Sequence, residues 1–145
     1  MANAASNRSR GLGRILVLVY AILALAATGR SVYQVIDSFE TAPLAYSLSA
    51  LAGIIYIVAT IALVAPGGFW YRVAVGTIAF ELVGVLVVGT LSLVDPVLFP
   101  AKTVWSYFGR GYAFVPLVLP VLGLLWLRAT RPSAVARDVG ADAAL

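Results

Sequence analysis

The most regular feature of the chain is the alternation of four long apolar stretches with short polar connections. The stretches cover residues 15–36, 44–65, 73–94 and 112–127, and they contain only two charges, Arg30 and Glu81. The first three have the ~20 residues with which an α-helix crosses ~30 Å of hydrocarbon, and the fourth is shorter. Backbone in lipid must bond to itself, and the stretches lack the alternation of barrel strands. The pattern predicts an all-α membrane protein with a four-transmembrane-helix bundle.

The polar parts of the chain define its expected organisation. Residues 14–128 are expected to form a single transmembrane domain, with helix-breaking residues such as Pro43 and Pro66-Gly67-Gly68 between the helices. Residues 1–13 are small and polar and predict a disordered lead. Residues 129–145 mix Arg, Asp, Ala and Pro without apolar periodicity and predict a disordered tail.

The connection before the fourth stretch has a pattern of its own. Ala101, Val104, Trp105 and Phe108 follow the spacing i, i+3, i+4 and i+7, which is typical of one face of a helix. We expect a short amphipathic helix over about residues 101–108 on the extracytoplasmic membrane interface. Such a helix would serve as an interfacial anchor, or alternatively as a lid or docking surface.

Composition narrows the possible functions. Charged residues make up 11% of the 145 residues, against about 25% in soluble domains. The chain has no cysteine and no histidine, so disulfides, thiol nucleophiles and the commonest general base and metal ligand are excluded. We therefore expect no enzyme, no cofactor and no metal site. Most basic residues flank apolar stretches, so their number does not indicate nucleic-acid binding.

The distribution of the basic residues predicts the orientation. One side of the predicted bundle receives seven of them and the other receives two; the seven are Arg8, Arg10, Arg14, Arg72, Arg128, Arg131 and Arg137, and the two are Lys102 and Arg110. The positive-inside rule then places both termini in the cytoplasm, in a bacterial plasma membrane. One alternative stays open: Ala24-Leu25-Ala26 also fits a signal-peptide cleavage site, which would leave three spans.

Glu81 is the most informative single residue. It lies near the middle of the third stretch, where a carboxylate is costly and by default indicates function. Arg30 is the candidate partner, about 9 Å away along the membrane normal at ~1.5 Å of helix rise per residue. Three interpretations stay open: a buried ion pair that fixes helix packing, a proton or substrate site, and no contact, with Arg30 reaching outward to Asp37 or Glu40.

A second set of polar residues lies on the predicted outer face. It comprises Asp37, Glu40, Asp95 and Arg110, with Lys102 nearby. Three carboxylates can bind a cation, and the set is also the only one available for lipid-directed chemistry. The simpler interpretation is solvated loop charge with helix capping.

Two sequence runs carry a resemblance. Residues 38–46 (SFETAPLAY) and residues 110–123 (RGYAFVPLVLPVLG) resemble the uncharacterised small four-helix integral membrane proteins of actinobacteria. The resemblance covers most of residues 14–131. It implies lineage and location, and it agrees with nine arginines against one lysine. It implies no activity and no catalytic residue.

These features favour a non-enzymatic accessory or assembly subunit of a larger membrane system. Its expected partners are the lipid bilayer and either another membrane protein or further copies of itself as a homo-oligomer. The alternative function is a small oligomeric proton-coupled transporter or channel that uses Glu81.

Overall fold

The structure is a computed structural model that describes the backbone of residues 2–130 and the side chains of residues 10–130. Every regular element in this range is helical. The main helices are α1 (Ala2–Ser38), α2 (Pro43–Val64), α3 (Gly68–Val94) and α4 (Val115–Ala129), with 3₁₀ turns at Phe39–Thr41, Pro96–Leu98 and Ser106–Tyr112. The tail predicted over residues 129–145 falls, beyond Thr130, outside the described residues.

In the part of the chain that the structure describes, three helices are long and apolar enough to cross a membrane. They are Arg10–Thr41, Pro43–Val64 and Gly68–Val94, and a fourth span exists if the Ser106–Tyr112 and Val115–Ala129 helices, bent by 98° from each other, are counted together. The predicted all-α, multi-pass architecture is thus confirmed with three to four spans. The 15 residues of α4 rise only ~22 Å on their own.

The helices overlap the predicted stretches, but α3 begins five residues before the predicted position 73, α4 begins three residues after position 112, and α1 differs most. This helix begins at Ala2, so residues 2–13 are helical where a disordered lead was predicted. The other ends follow the breakers: Pro43 takes the first turn of α2, where its missing N–H costs nothing. Gly67 has φ +104°, a left-handed conformation open to glycine, and it turns the chain from α2 into α3.

Small residues let α1 and α2 pack closely as an antiparallel pair. Ala27, Ala52 and Ala59 are buried between helices, and a Cβ on Gly53 would lie 3.2 Å from the Thr28 hydroxyl. Membrane helices associate through such close backbone approach because lipid is as apolar as their side chains. Helix α3 packs against α2, and α4 packs mainly against α3 with a smaller contact on α1.

Contacts between helix ends place both ends of the described chain at one end of the bundle. The Trp126 ring lies on Gly13, where a Cβ would come within 2.6 Å of it. The Tyr71 hydroxyl donates a 2.7 Å hydrogen bond to the Leu127 carbonyl. The part of α1 around Gly13, the start of α3 and the end of α4 therefore meet. We call this the arginine end, because Arg10, Arg14, Arg72 and Arg128 are exposed there.

The amphipathic helix predicted over residues 101–108 is not formed. Residues 101–105 belong to no helix, and Tyr107, Phe108 and Gly109 have positive φ angles within the Ser106–Tyr112 turn. We call residues 96–114 the inserted segment, because its aromatic side chains enter the bundle. Trp105 is 1% exposed, and its ring meets α3 at Gly84, while the Phe108 ring meets α3 at Gly89.

Two hydroxyl side chains explain why the inserted segment is not an α-helix. The Thr103 amide donates to the Ser106 hydroxyl at 2.8 Å, and the Trp105 amide donates to the Thr103 hydroxyl at 3.1 Å. Local bonds of this kind compete with helical ones. The glycines of α3 supply notches for the two rings, so the apolar face of the segment packs on protein rather than on the membrane interface.

Candidate functional site: a buried polar cluster around Glu81

Glu81 lies inside the bundle and is 0% exposed. It lies on the same buried face of α3 as Ile78, Val85 and Val88, which are neighbours at helical spacing. Its Oε2 atom accepts a 2.7 Å hydrogen bond from the Tyr20 hydroxyl of α1. Its Oε1 atom is buried and has no hydrogen-bond partner among the described residues.

A second buried hydrogen bond lies next to the first. The Trp105 indole N–H donates to the Tyr56 hydroxyl at 2.9 Å, and the centroids of the Tyr20 and Tyr56 rings are 6.3 Å apart. We call Tyr20, Tyr56, Glu81 and Trp105 the polar cluster. Its members come from α1, α2, α3 and the inserted segment, so the two bonds join four parts of the chain.

Helix α4 closes the polar cluster without adding a polar group of its own. A Cβ on Gly123 would lie 3.7 Å from the Tyr20 hydroxyl oxygen and 3.4 Å from Ile78. Residue 123 of α4 therefore lies within van der Waals range of the Tyr20 hydroxyl and covers this side of the cluster. A buried polar atom without a partner costs roughly 1–3 kcal/mol, so the second oxygen of Glu81 is the least satisfied part of the cluster.

The chemistry available to the polar cluster is proton binding and hydrogen bonding. A carboxyl accepts hydrogen bonds when ionised and donates one when protonated, and a tyrosine hydroxyl does both. The Tyr56 hydroxyl accepts from Trp105 and retains its own hydrogen to donate. Glu81 Oε1 and the Tyr56 hydroxyl hydrogen are therefore a free acceptor and a free donor in one buried cluster.

Of the three interpretations left open for Arg30 and Glu81, the ion pair is not formed in the structure. The Arg30 guanidinium donates to the Lys102 carbonyl at 3.1 Å, and Glu81 is bonded to Tyr20 instead. The physical reason is depth. Arg30 lies ten residues beyond Tyr20, which is ~15 Å along α1, and its side chain reaches toward the polar end of the helix. Arg30 thereby ties α1 to the inserted segment.

The sequence prediction considered only a charged partner for Glu81 and therefore did not include the other members of the polar cluster. Tyr56 lies nine residues before the end of the second apolar stretch, and Glu81 lies eight residues after the start of the third. At ~1.5 Å per residue the two have nearly the same depth. A tyrosine at the same depth as Glu81 in an adjacent apolar stretch is therefore a sequence feature from which this part of the cluster could have been predicted. Trp105 had no such signal, since its position depends on how the inserted segment folds.

The predicted outer-face residues lie at the end of the bundle opposite the arginine end. Asp37, Glu40, Asp95 and Arg110 are all exposed. Asp37 accepts from the Ser38 hydroxyl at 2.8 Å, and Asp95 caps the Pro96–Leu98 turn by accepting from the Leu98 amide at 3.3 Å. Within residues 2–130, no three acidic side chains gather into a group that could hold a metal ion. Asp95 therefore matches the capping interpretation.

A groove between the outer halves of α1 and α2 is the other notable feature. We call it the α1–α2 groove; its volume is about 350 Å³, and Thr28, Ser31, Ala50 and Ile54 are among its lining residues. One of its lining residues, Ser31, has a buried hydroxyl oxygen without a hydrogen-bond partner in the described part of the chain. Ser49 and Gln34 each have such an oxygen as well, but neither residue lines the groove.

The chain was compared with models of known protein families, with curated proteins and with solved structures, and none of these matches it. Its function is therefore argued from its own residues.

Proposed function

We propose that this multi-pass membrane protein is a non-enzymatic accessory or assembly subunit that holds a transmembrane helix of a partner in its α1–α2 groove. The partner is either another membrane protein or a second copy of this chain. The observation that carries the proposal is an apolar groove of about 350 Å³ whose wall includes Ser31, a buried hydroxyl without a hydrogen-bond partner in the described residues. A partner helix in the groove would supply a hydrogen-bond partner to this hydroxyl once its side chain rotates outward.

In a membrane, the α1–α2 groove faces lipid rather than water. Ser31 lines the groove, and its hydroxyl oxygen is buried without a partner. Lipid chains cannot hydrogen-bond, so they leave such a group unsatisfied. Hydrogen bonds between membrane helices contribute about 0.6 kcal/mol each on average. Their number and position therefore select a partner helix, whereas close packing in the groove supplies most of the affinity.

We further propose that the protein lies in a bacterial plasma membrane, in the lineage of the actinobacterial proteins that it resembles, with both termini in the cytoplasm. Four exposed arginines at the arginine end support this orientation through the positive-inside rule. The opposite end carries Asp37, Glu40 and Asp95 together with Lys102 and Arg110.

Site-directed photo-crosslinking in native membranes tests the accessory function. A benzophenone amino acid replaces Ile54, which lines the groove, or Val83 on α3, and both side chains are 58% exposed. We expect a discrete protein adduct from residue 54 and only lipid adducts from residue 83. Mass spectrometry of the adduct distinguishes a second copy from another protein. Ser31→Ala should weaken the adduct, and lipid adducts alone at both positions would contradict the proposal.

A second candidate function, proton transfer through Glu81 in an oligomeric transporter or channel, is favoured by the free Oε1 atom. A carboxyl with one oxygen unpaired inside a membrane bundle can bind and release a proton. Because Glu81 is fully buried, transfer also needs a movement that admits water. The inserted segment supplies the movable part, since Trp105 covers α3 one turn beyond Glu81.

Reconstitution separates this candidate from a structural role for Glu81. Liposomes with the purified protein and an internal pH-sensitive dye report proton flux under an imposed gradient. If Glu81 carries protons, Glu81→Gln abolishes flux and leaves the unfolding temperature nearly unchanged, because glutamine keeps the acceptor for Tyr20. No flux in the unaltered protein, or loss of folding in the variant, would leave the accessory function as the better explanation.

A further inference from the structure

A second groove opens at the arginine end of the bundle, between α1, α2 and α4. Its volume is about 500 Å³, and it is lined by Arg10, Arg14, Val17, Leu63 and Trp126 among others. The Trp126 ring lies against Gly13, where any side chain would collide with it. The glycine therefore shapes the groove, because it lets the indole of α4 form the wall next to the two arginines. We call this the lipid groove.

The polarity of the lipid groove changes along its length. Arg10 and Arg14 are exposed and lie one helical turn apart, so their guanidinium groups project from the same face of α1. Beyond them the groove is apolar, with Val17 and Ala21 of α1 opposite Leu63 of α2. A ligand that fits both parts has an anionic head and a hydrocarbon chain.

The charges around the lipid groove are not neutralised by described acidic residues. Within residues 10–130, the carboxylates of Asp37, Glu40 and Asp95 are at the opposite end of the bundle, and Glu81 is enclosed in the interior. Arg72 and Arg128 add further positive charge at this end. Guanidinium groups bind phosphate through two parallel hydrogen bonds, so the pair at the head of the groove is suited to a phosphodiester.

We propose that the lipid groove is a selective site for an anionic phospholipid, whose headgroup phosphate binds Arg10 and Arg14 and whose acyl chain lies along Val17 and Leu63. Basic pockets between transmembrane helices recognise anionic headgroups in this way. The groove favours a lipid over a peptide because its apolar part continues from the arginines along the same helices that span the membrane. This inference is independent of the accessory function.

Quenching of Trp126 by brominated lipids tests the site. A Trp70→Phe variant leaves Trp126 in the groove and the buried Trp105 as an internal reference. The protein is reconstituted in phosphatidylcholine that contains a small fraction of lipid with brominated chains, either phosphatidylglycerol or phosphatidylcholine. We expect the phosphatidylglycerol to quench Trp126 at a much lower fraction, by about fivefold for each arginine engaged. Added inorganic phosphate should not compete, since it lacks the chain.

Charge-matched variants distinguish a specific lipid-binding site from general attraction of anionic lipid by surface charge. Arg10→Gln with Arg14→Gln should bring quenching by the two lipids to equality. Arg72→Gln with Arg128→Gln removes the same charge from the same end, outside the groove, and should preserve the selectivity. Equal quenching by both lipids before any arginine is changed would overturn the proposal, as would equal loss of selectivity in the two double variants. The comparison of brominated phosphatidylglycerol with brominated phosphatidylcholine needs no arginine variant, so it tests the proposal even if an arginine variant fails to fold.

Discussion

At the scale of single residues, the hydrogen bond between Tyr20 and Glu81 matters most for stability, because neither side chain has access to water. Removing the hydroxyl in Tyr20→Phe leaves both carboxyl oxygens of Glu81 without a partner. We expect a loss of stability of roughly 1–3 kcal/mol, measured as a lower unfolding temperature in detergent. Tyr33→Phe is the matched control, since Tyr33 is on the same helix and 68% exposed, and it should have no effect.

A double variant tests whether the stability loss in Tyr20→Phe comes from leaving the Glu81 carboxyl without a hydrogen-bond partner. Replacing both partners of a buried hydrogen bond by apolar groups can be nearly neutral, whereas removing one is costly. Tyr20→Phe combined with Glu81→Leu should therefore recover most of the stability lost in Tyr20→Phe, which is a coupling that a double-mutant cycle measures. If the stability losses of the two single variants were additive in the double variant, the Tyr20–Glu81 hydrogen bond would not be the source of the loss.

At the scale of elements, the inserted segment depends on two notches in α3. A Cβ on Gly84 would lie 2.7 Å from the Trp105 ring, whereas a Cβ on Gly76 of the same helix meets nothing within 4 Å. Gly84→Ala should displace the ring, strain the Trp105–Tyr56 hydrogen bond and cost about 1–3 kcal/mol by overpacking. Gly76→Ala should be neutral or stabilising, because alanine is the better helix former. Equal unfolding temperatures for the two variants would contradict this packing.

The elements also show where sequence reasoning succeeds and where it stops. Helix positions follow from runs of apolar residues, because crossing hydrocarbon imposes a minimum length whatever the tertiary structure. The depth of Glu81 follows from the same geometry. The partner of Glu81 and the fate of residues 101–108 depend on rotation of helices and on notches such as Gly84, which hydropathy does not encode. The sequence therefore predicts that Trp105 lies on an apolar face, but it predicts contact of that face with the membrane interface, whereas the structure packs Trp105 on α3.

At the scale of the whole molecule, the structure allows two arrangements of α4 in a membrane. Helix α4 is too short to span hydrocarbon alone, yet its end contacts α1 near Gly13. If the inserted segment and α4 together make a fourth span, the two ends of the described chain face the same compartment. If the pair only re-enters and Thr130 faces the other compartment, the contacts that place Thr130 beside the turn between α2 and α3 cannot form in the membrane.

Cysteine labelling resolves this alternative, because the chain has no cysteine of its own. Gly68 and Gly111 are exposed, and a Cβ on either meets nothing within 4 Å, so Gly68→Cys and Gly111→Cys are matched probes of the two ends of the bundle. With a membrane-impermeant maleimide on intact cells, we expect labelling at residue 111 and none at residue 68. Thr130→Cys should behave like Gly68→Cys and react only in inverted vesicles. Labelling of residue 130 from outside would show that α4 does not complete a span, and labelling of residue 68 from outside would reverse the proposed orientation.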